Sequence, residues 1–495
     1  MFKHRKKKEV FGFLLLLLIV TIIAFNTTSC KSNDNNISDN EEAYNPAKPV
    51  VVSNFTPAEG GAYQKMVIAG DNFGTDTSLV KVTIGGLKAT LINVKGNCLY
   101  CVVPSKAFSG KIEVSVGDST NVQTDTASTR FTYDRSMVVG TLCGYRNQND
   151  DQGWQDGSFA TCCGFRDDGI LKFDPLHKDH LYVCYDGGDI QMLDLTKRWL
   201  STPMPASLFG NRRLRSIDFT LDGKYMLVAV DADEGTGTTP SVFLVTRNAD
   251  GTFNNESSVQ VIAAYKQCNG ASIHPINGEL YFNSYERGQV FRLDMNNYFE
   301  TIANGGVWRP NYADGNYTQL FTIQDTGWEF KIFIHPSGKY AYIVVLNRDY
   351  ILRTDYNEAT KCFAPPYIVA GQIGQEDWAD GVGTSARMHR PYQGVFVKNP
   401  DYVAEGKDDA YDFYFTDNKN FCVRCLTPDG MIKTYAGRGT ASSVGDNNQW
   451  GTDDGAIRTQ ARFRDVTGIA YDDVNNVFYI LDTVGHTIRT ISMEK

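Results

Sequence analysis

Trp154, Trp328, Trp378 and Trp450, four of the six tryptophans, fall in connecting stretches beside Asp, Asn, Gln and Arg rather than in alternating apolar runs. An indole ring stacks on the apolar face of a pyranose while amides, carboxylates and guanidinium groups bond its hydroxyls, so this mixture fits carbohydrate. Tyr185, Tyr285, His389 and Arg390 fall in the same kind of connection and complete the candidate ligand-binding set. For any one ring the competing role is filler between packed sheets.

Signals for catalysis are sparse. None of the seven histidines forms a ligand pair with a carboxylate on one strand face. His274-Pro275 and His335-Pro336 recur at one repeat position and read as structural, and His177 and His180 lie in the equivalent turn. No G-x-S-x-G or H-E-x-x-H occurs, so no catalytic residue, metal or cofactor is assigned. Carboxylates are plentiful, and a glycosidase or lyase pair drawn from distant segments would be invisible at this level. Asp156-Gly157, Asp380-Gly381 and Asp454-Gly455 read as turn chemistry. The eleven cysteines include Cys98/Cys101, Cys162/Cys163 and Cys422/Cys425. Neither C-x-x-C has the second pair a zinc site needs, and residues i and i+3 of a strand point to opposite faces. Buried free thiols are expected, with room for one or two disulfides on export.

These residues need a frame. Near the C-terminus two alternating apolar runs, 467–471 and 477–481, are parted by Asp472-Asp473-Val474-Asn475-Asn476, and a second turn at 482–486 leads into 487–491. Short strands joined by Asn/Asp/Gly turns describe an antiparallel meander. Residues 374–437 repeat it. Asp380-Gly381 matches Asp454-Gly455, Ala386-Arg387-Met388 matches Ala461-Arg462-Phe463, the run 413–417 matches 478–482, and Val423-Arg424 matches Ile488-Arg489. These units resemble NHL repeats, the blades of a family of β-propellers. Carried back, the spacing places middle strands at 181–184, 225–228, 280–283, 341–344, 413–416 and 478–481, a six-bladed NHL-like propeller over 136–495. The last blade lacks a fourth strand, and residues 137–142, which resemble 431–436, are predicted to supply it and leave no sheet edge open. In such blades the turns before each middle strand lie on one face, while the hairpins after it and the links between blades lie on the other. The second face receives the insertions 145–168, 231–240, 322–328, 371–391 and 437–464, and with them the ring-bearing candidates.

The N-terminus reads as an address. Lys3, Arg5, Lys6, Lys7 and Lys8 precede an apolar run at 10–25, short for the ~20 residues that span a bilayer. Thr27-Thr28-Ser29-Cys30 resembles a bacterial lipobox, with Thr27 where Leu is usual. The resemblance implies a leader over 1–29 and a lipidated Cys30, followed by a polar, flexible tether over 30–47. Loss of the leader removes five cations and Glu9 from a chain of net charge −9. Such a surface repels nucleic acid and disfavours strongly anionic polysaccharide. Residues 48–134 alternate between period-2 runs and Gly/Asn/Pro turns, as in an immunoglobulin-like sandwich. With P-x-x-G at 57–60, I-x-G-x-x-F-G at 68–74 and V-P at 103–104, the unit resembles the IPT/TIG domain, which usually acts as a spacer.

The fold class is therefore all-β, a sandwich followed by a propeller. The whole layout resembles Bacteroidota surface lipoproteins of glycan-utilisation loci. That resemblance implies a protein held in the outer membrane by its lipid alone, displayed on the cell surface. It would bind poly- or oligosaccharide on the insertion-rich face and work with a TonB-dependent porin and its lid lipoprotein. Two other readings use the same face: a glycan lyase or hydrolase built on its carboxylates or His389, and a protein-interaction scaffold in an outer-membrane transport complex.

Overall fold

The computed structural model describes residues 42–494 apart from 105–106, 145–152, 233–238 and 439–448. The expected leader and Cys30 lie outside the described residues. The chain forms two compact units that meet in sequence at Asp134 and Arg135.

The first unit is a sandwich. Val51–Thr56, Lys65–Gly74 and Thr90–Val102 make one antiparallel sheet, and Val80–Ile84, Leu87–Lys88, Ile112–Gly117 and Val122–Thr126 make the other. Alternation along Val80–Ile84 and Ile112–Gly117 turns Val82, Ile84, Val114 and Val116 into a core shared with Ile68, Phe73, Leu99 and Phe131. Gly70 is needed where the sheets close up, since a Cβ there would meet Val51 O at 2.0 Å and the Phe73 ring at 2.2 Å.

The second unit is a ring of six antiparallel sheets. Their first strands are Gly169–Phe173, Arg213–Phe219, Ala271–Ile273, Phe330–Ile334, Pro391–Lys398 and Val466–Asp472. Each packs against the first strand of the next sheet, and the sixth returns to the first, so these are the inner strands. Strands such as Tyr340–Val345 and Val477–Asp482 are buried along their whole length. Each blade is covered on both faces by its neighbours, which explains why the middle strands read as unbroken apolar runs.

Met137–Cys143 pairs antiparallel with Thr487–Met493, from Met137 opposite Met493 to Cys143 opposite Ile488. The strand at the start of the propeller thus forms the outer strand of the last blade. At the centre, a cavity of about 200 Å³ is lined by residues of all six inner strands. The Gln393 carboxamide ties three blades together there, accepting from Leu171 N and Ile469 N at 2.9 Å each and donating to Leu171 O at 2.8 Å. The helix Met295–Ala303, capped by Asp294, lies between the third and outer strands of blade three. It breaks the strand spacing of that repeat without disturbing the ring.

Candidate functional site

The insertion-rich face is built by a device that repeats in three blades. Asp380 accepts from Thr434 N (3.1 Å) and Thr434 Oγ1 (2.8 Å) on its own blade's outer strand, and from Arg424 Nη2 at 2.9 Å. Asp454 does the same with Thr141 N (3.0 Å), Thr141 Oγ1 (3.1 Å) and Arg489 Nη2 (2.6 Å). Asp156 bonds Thr202 N (2.7 Å) and Thr202 Oγ1 (2.8 Å), with neutral Gln191 in place of the arginine. The Asp-Gly segments are thus latches that hold each insertion to an outer strand. In blades five and six the buried guanidinium also meets a buried carboxylate at the end of the middle strand: Arg424 with Asp417 at 2.7 Å and Arg489 with Asp482 at 3.5 Å. Those carboxylates accept backbone N–H groups from the approach to the inner strand of their own blade, His389 N at 2.8 Å and Asp465 N at 3.0 Å. One buried charge therefore positions the insertion, the hairpin and the entry to the inner strand.

Where the inner strands begin, a polar cavity of about 410 Å³ opens at the mouth of the ring. Arg390 Nη2 meets Asp168 at 2.7 Å, and Lys419 meets Asp465 at 2.7 Å. Arg213 grips Asp186 through Nε (2.7 Å) and Nη2 (3.0 Å) and reaches Asp231 at 3.3 Å. Beneath it the fully buried Arg215 bridges Asp186 at 2.9 Å and Glu329. Paired charges dominate, so the cavity offers bidentate hydrogen-bonding edges with little net field. Burial raises the Asp231 and Asp465 carboxyls above the usual range. Asp465 Oδ1 is buried with no hydrogen-bond partner among the described residues. Arg390 is held in the left-handed region at φ 58° by the bond from its N–H to Asp349 Oδ1 at 2.8 Å. Such a conformation costs about 1–3 kcal/mol and tends to mark functional positions. Deeper in the ring Lys331 is fully enclosed. Its Nζ donates to Asn269 O at 3.0 Å and lies 5.1 Å from the Tyr392 ring, and burial pushes its pKa down to about 8.

The aromatic candidates divide. Trp154, Trp328, Trp378 and Trp450 are 37–41% exposed, too open for inter-blade filler. Each lies against an arginine: Arg166 at 5.8 Å, Arg348 at 5.6 Å, Arg438 at 4.0 Å and Arg464 at 4.8 Å respectively. Trp378 Nε1 also donates to Thr434 Oγ1 at 3.0 Å, next to the latch. Tyr285 is half-buried, its hydroxyl bonded to Asp231 at 3.2 Å. His389 Nε2 faces Glu376 at 3.2 Å. Tyr185 does not belong in the ligand set. It is 1% exposed, with its hydroxyl on Gln191 at 2.8 Å and its ring against Trp154 at 4.7 Å, because it ends a middle strand beneath the insertion. The sequence reading missed Asp168, Asp186, Arg213, Lys419 and Asp465. They fall at two fixed places, at the start of an inner strand or just after a middle strand, so the repeat frame itself was the available signal. A cluster of Asp179, His180 and Asp194, with ligand atoms within 4.8 Å of one another, sits at the opposite end of blade one. Lys197 already neutralises Asp194 there at 2.8 Å.

Residues 49–133 match the IPT/TIG domain family. Three crystal structures resemble the chain over 92% of its length. A putative phosphatase from Bacteroides thetaiotaomicron is 58% identical, covered over 99% of its own chain, with a TM-score of 0.82. An auxiliary nutrient binding protein from the same organism is 40% identical, covered completely, with a TM-score of 0.79. An auxiliary nutrient binding protein from Bacteroides ovatus is 34% identical, covered completely, with a TM-score of 0.65. No curated protein matches the chain.

Proposed function

The chain belongs to the family of Bacteroides proteins that these three structures represent, and from that premise we propose that it binds nutrient glycans at the cell envelope. It is a lipid-anchored surface protein that captures poly- or oligosaccharide and passes it to a TonB-dependent porin and its lid lipoprotein. The mouth carries the reading: ion-paired Arg and Asp edges, an unpartnered buried Asp465 oxygen, and half-exposed tryptophans on one insertion-rich face. Guanidinium and carboxylate edges bond vicinal hydroxyls in pairs, and the indole faces stack on sugar rings. Two of the relatives carry nutrient binding in their names.

The test is affinity gel electrophoresis of residues 42–495, a span that keeps the Asn45 bond to Asn72, against a broad polysaccharide panel. Every hit is incubated overnight and checked for new reducing ends or unsaturated products, and hydrolysis of p-nitrophenyl phosphate is measured in parallel because one relative is named a putative phosphatase. Retardation without products is the expected outcome. Trp328→Ala and Trp378→Ala should each weaken it roughly tenfold, the effect of losing about 1–1.5 kcal/mol of stacking. Sugar products or phosphate release would replace capture with catalysis. Retention of no glycan, together with a porin that co-purifies, would favour the scaffold.

A further inference from the structure

Three junctions between blades carry the latched insertion, and at one of them the buried contact changes chemistry. Ala386, which follows the Asp380 latch, is buried in one cluster with Ala370 of the preceding blade's outer strand. Ala461 is buried in the same way with Ala436. At the junction of the last blade with the first, Cys162 and Cys143 take these places. The register shows the equivalence: Val139 faces Gly455 as Ile432 faces Gly381, so Cys143 and Ala436 each stand four residues further along their strands. The two free thiols lie beside one another inside that cluster, each acting on the other's ionisation. Burial raises the Cys143 thiol, and the neighbouring Cys143 side chain lowers that of Cys162. Two alanines close the other junctions, so packing alone does not require sulfur here.

We propose that Cys143 and Cys162 are a cross-linking site, joined as a disulfide when the chain folds in an oxidising compartment. The Cys162 thiolate attacks a disulfide oxidant and releases one thiolate from it. The Cys143 thiol loses its proton, attacks the Cys162 sulfur of the mixed disulfide, and displaces the second thiolate. Two thiols are oxidised, one disulfide is reduced, and two protons leave. The bond forms before the insertion packs, since both sulfurs are buried afterwards. It fixes both ends of the segment carrying Trp154 and the Asp156 latch, giving blade one covalently what blades five and six obtain from buried arginines.

Residues 42–495 are unfolded, reduced, refolded with oxidised glutathione and mapped without reduction. Because the oxidant is supplied, the result does not depend on where the protein resides or what it binds. The expected result is a Cys143–Cys162 peptide pair two hydrogens lighter than its thiols, and a melting temperature that falls on reduction. The Cys143→Ala/Cys162→Ala variant, which copies the other junctions, should fold and be insensitive to reductant. Free Cys143 and Cys162 thiols after refolding would overturn the proposal. So would linkage of Cys162 to another cysteine, or an equal reductant response in the double variant.

Discussion

Charge burial governs this propeller at the level of single side chains. Lys331 is the sharpest case, a primary amine at the centre of six strands with a pKa near 8. The unfolded chain holds that proton up to about pH 10.4. Between these values the unfolded state binds more protons, so stability rises with pH across that window and the gain is complete above it. Lys331→Met should remove this rise, read as the difference between the two proteins in urea midpoints from pH 7 to 11. The exposure of the four tryptophans was legible at this scale, because they fall in connecting stretches outside the apolar runs. Tyr185 could not be separated from them, because a ring at a hairpin turns inward or outward according to its register with the insertion above it. The Arg213 and Asp186 pair was hidden for another reason, since its members come from different blades.

Among the elements, the latch explains how long insertions are held without secondary structure of their own. Asp380→Ala and Asp454→Ala leave a buried guanidinium short of a partner and should each cost about 1–3 kcal/mol. Asp156→Ala leaves only a neutral amide and should cost about 1 kcal/mol or less. Chemical denaturation of the three variants measures the ordering. The blades and their count followed from recurring apolar runs parted by Asn/Asp/Gly turns, because each blade repeats the same compromise between two covered faces. The helix Met295–Ala303 did not, since nine residues inserted between two strands of one repeat leave no echo in the others. The latch role of the Asp-Gly segments was also out of reach, as turn propensity describes the glycine and not the strand the aspartate reaches.

The whole molecule depends on one seam. Met137–Cys143 supplies the outer strand of the last blade, and its removal would leave Thr487–Met493 an open edge and free the Asp454 latch. Deleting residues 137–143 should abolish cooperative unfolding, monitored by calorimetry, whereas trimming the chain before residue 42, which keeps Tyr44 on the sandwich core, should leave the melting temperature unchanged. The partners in that seam, Gly140 and Thr490, stand 350 residues apart. In synthesis the closing strand therefore emerges before the rest of the propeller and its partner after it. For that whole interval the nascent chain carries an unzipped β-edge, so the propeller's slowest and most exposed moment is its own completion. Until Thr487–Met493 arrives, the closing strand has no partner to join it to the blade it completes.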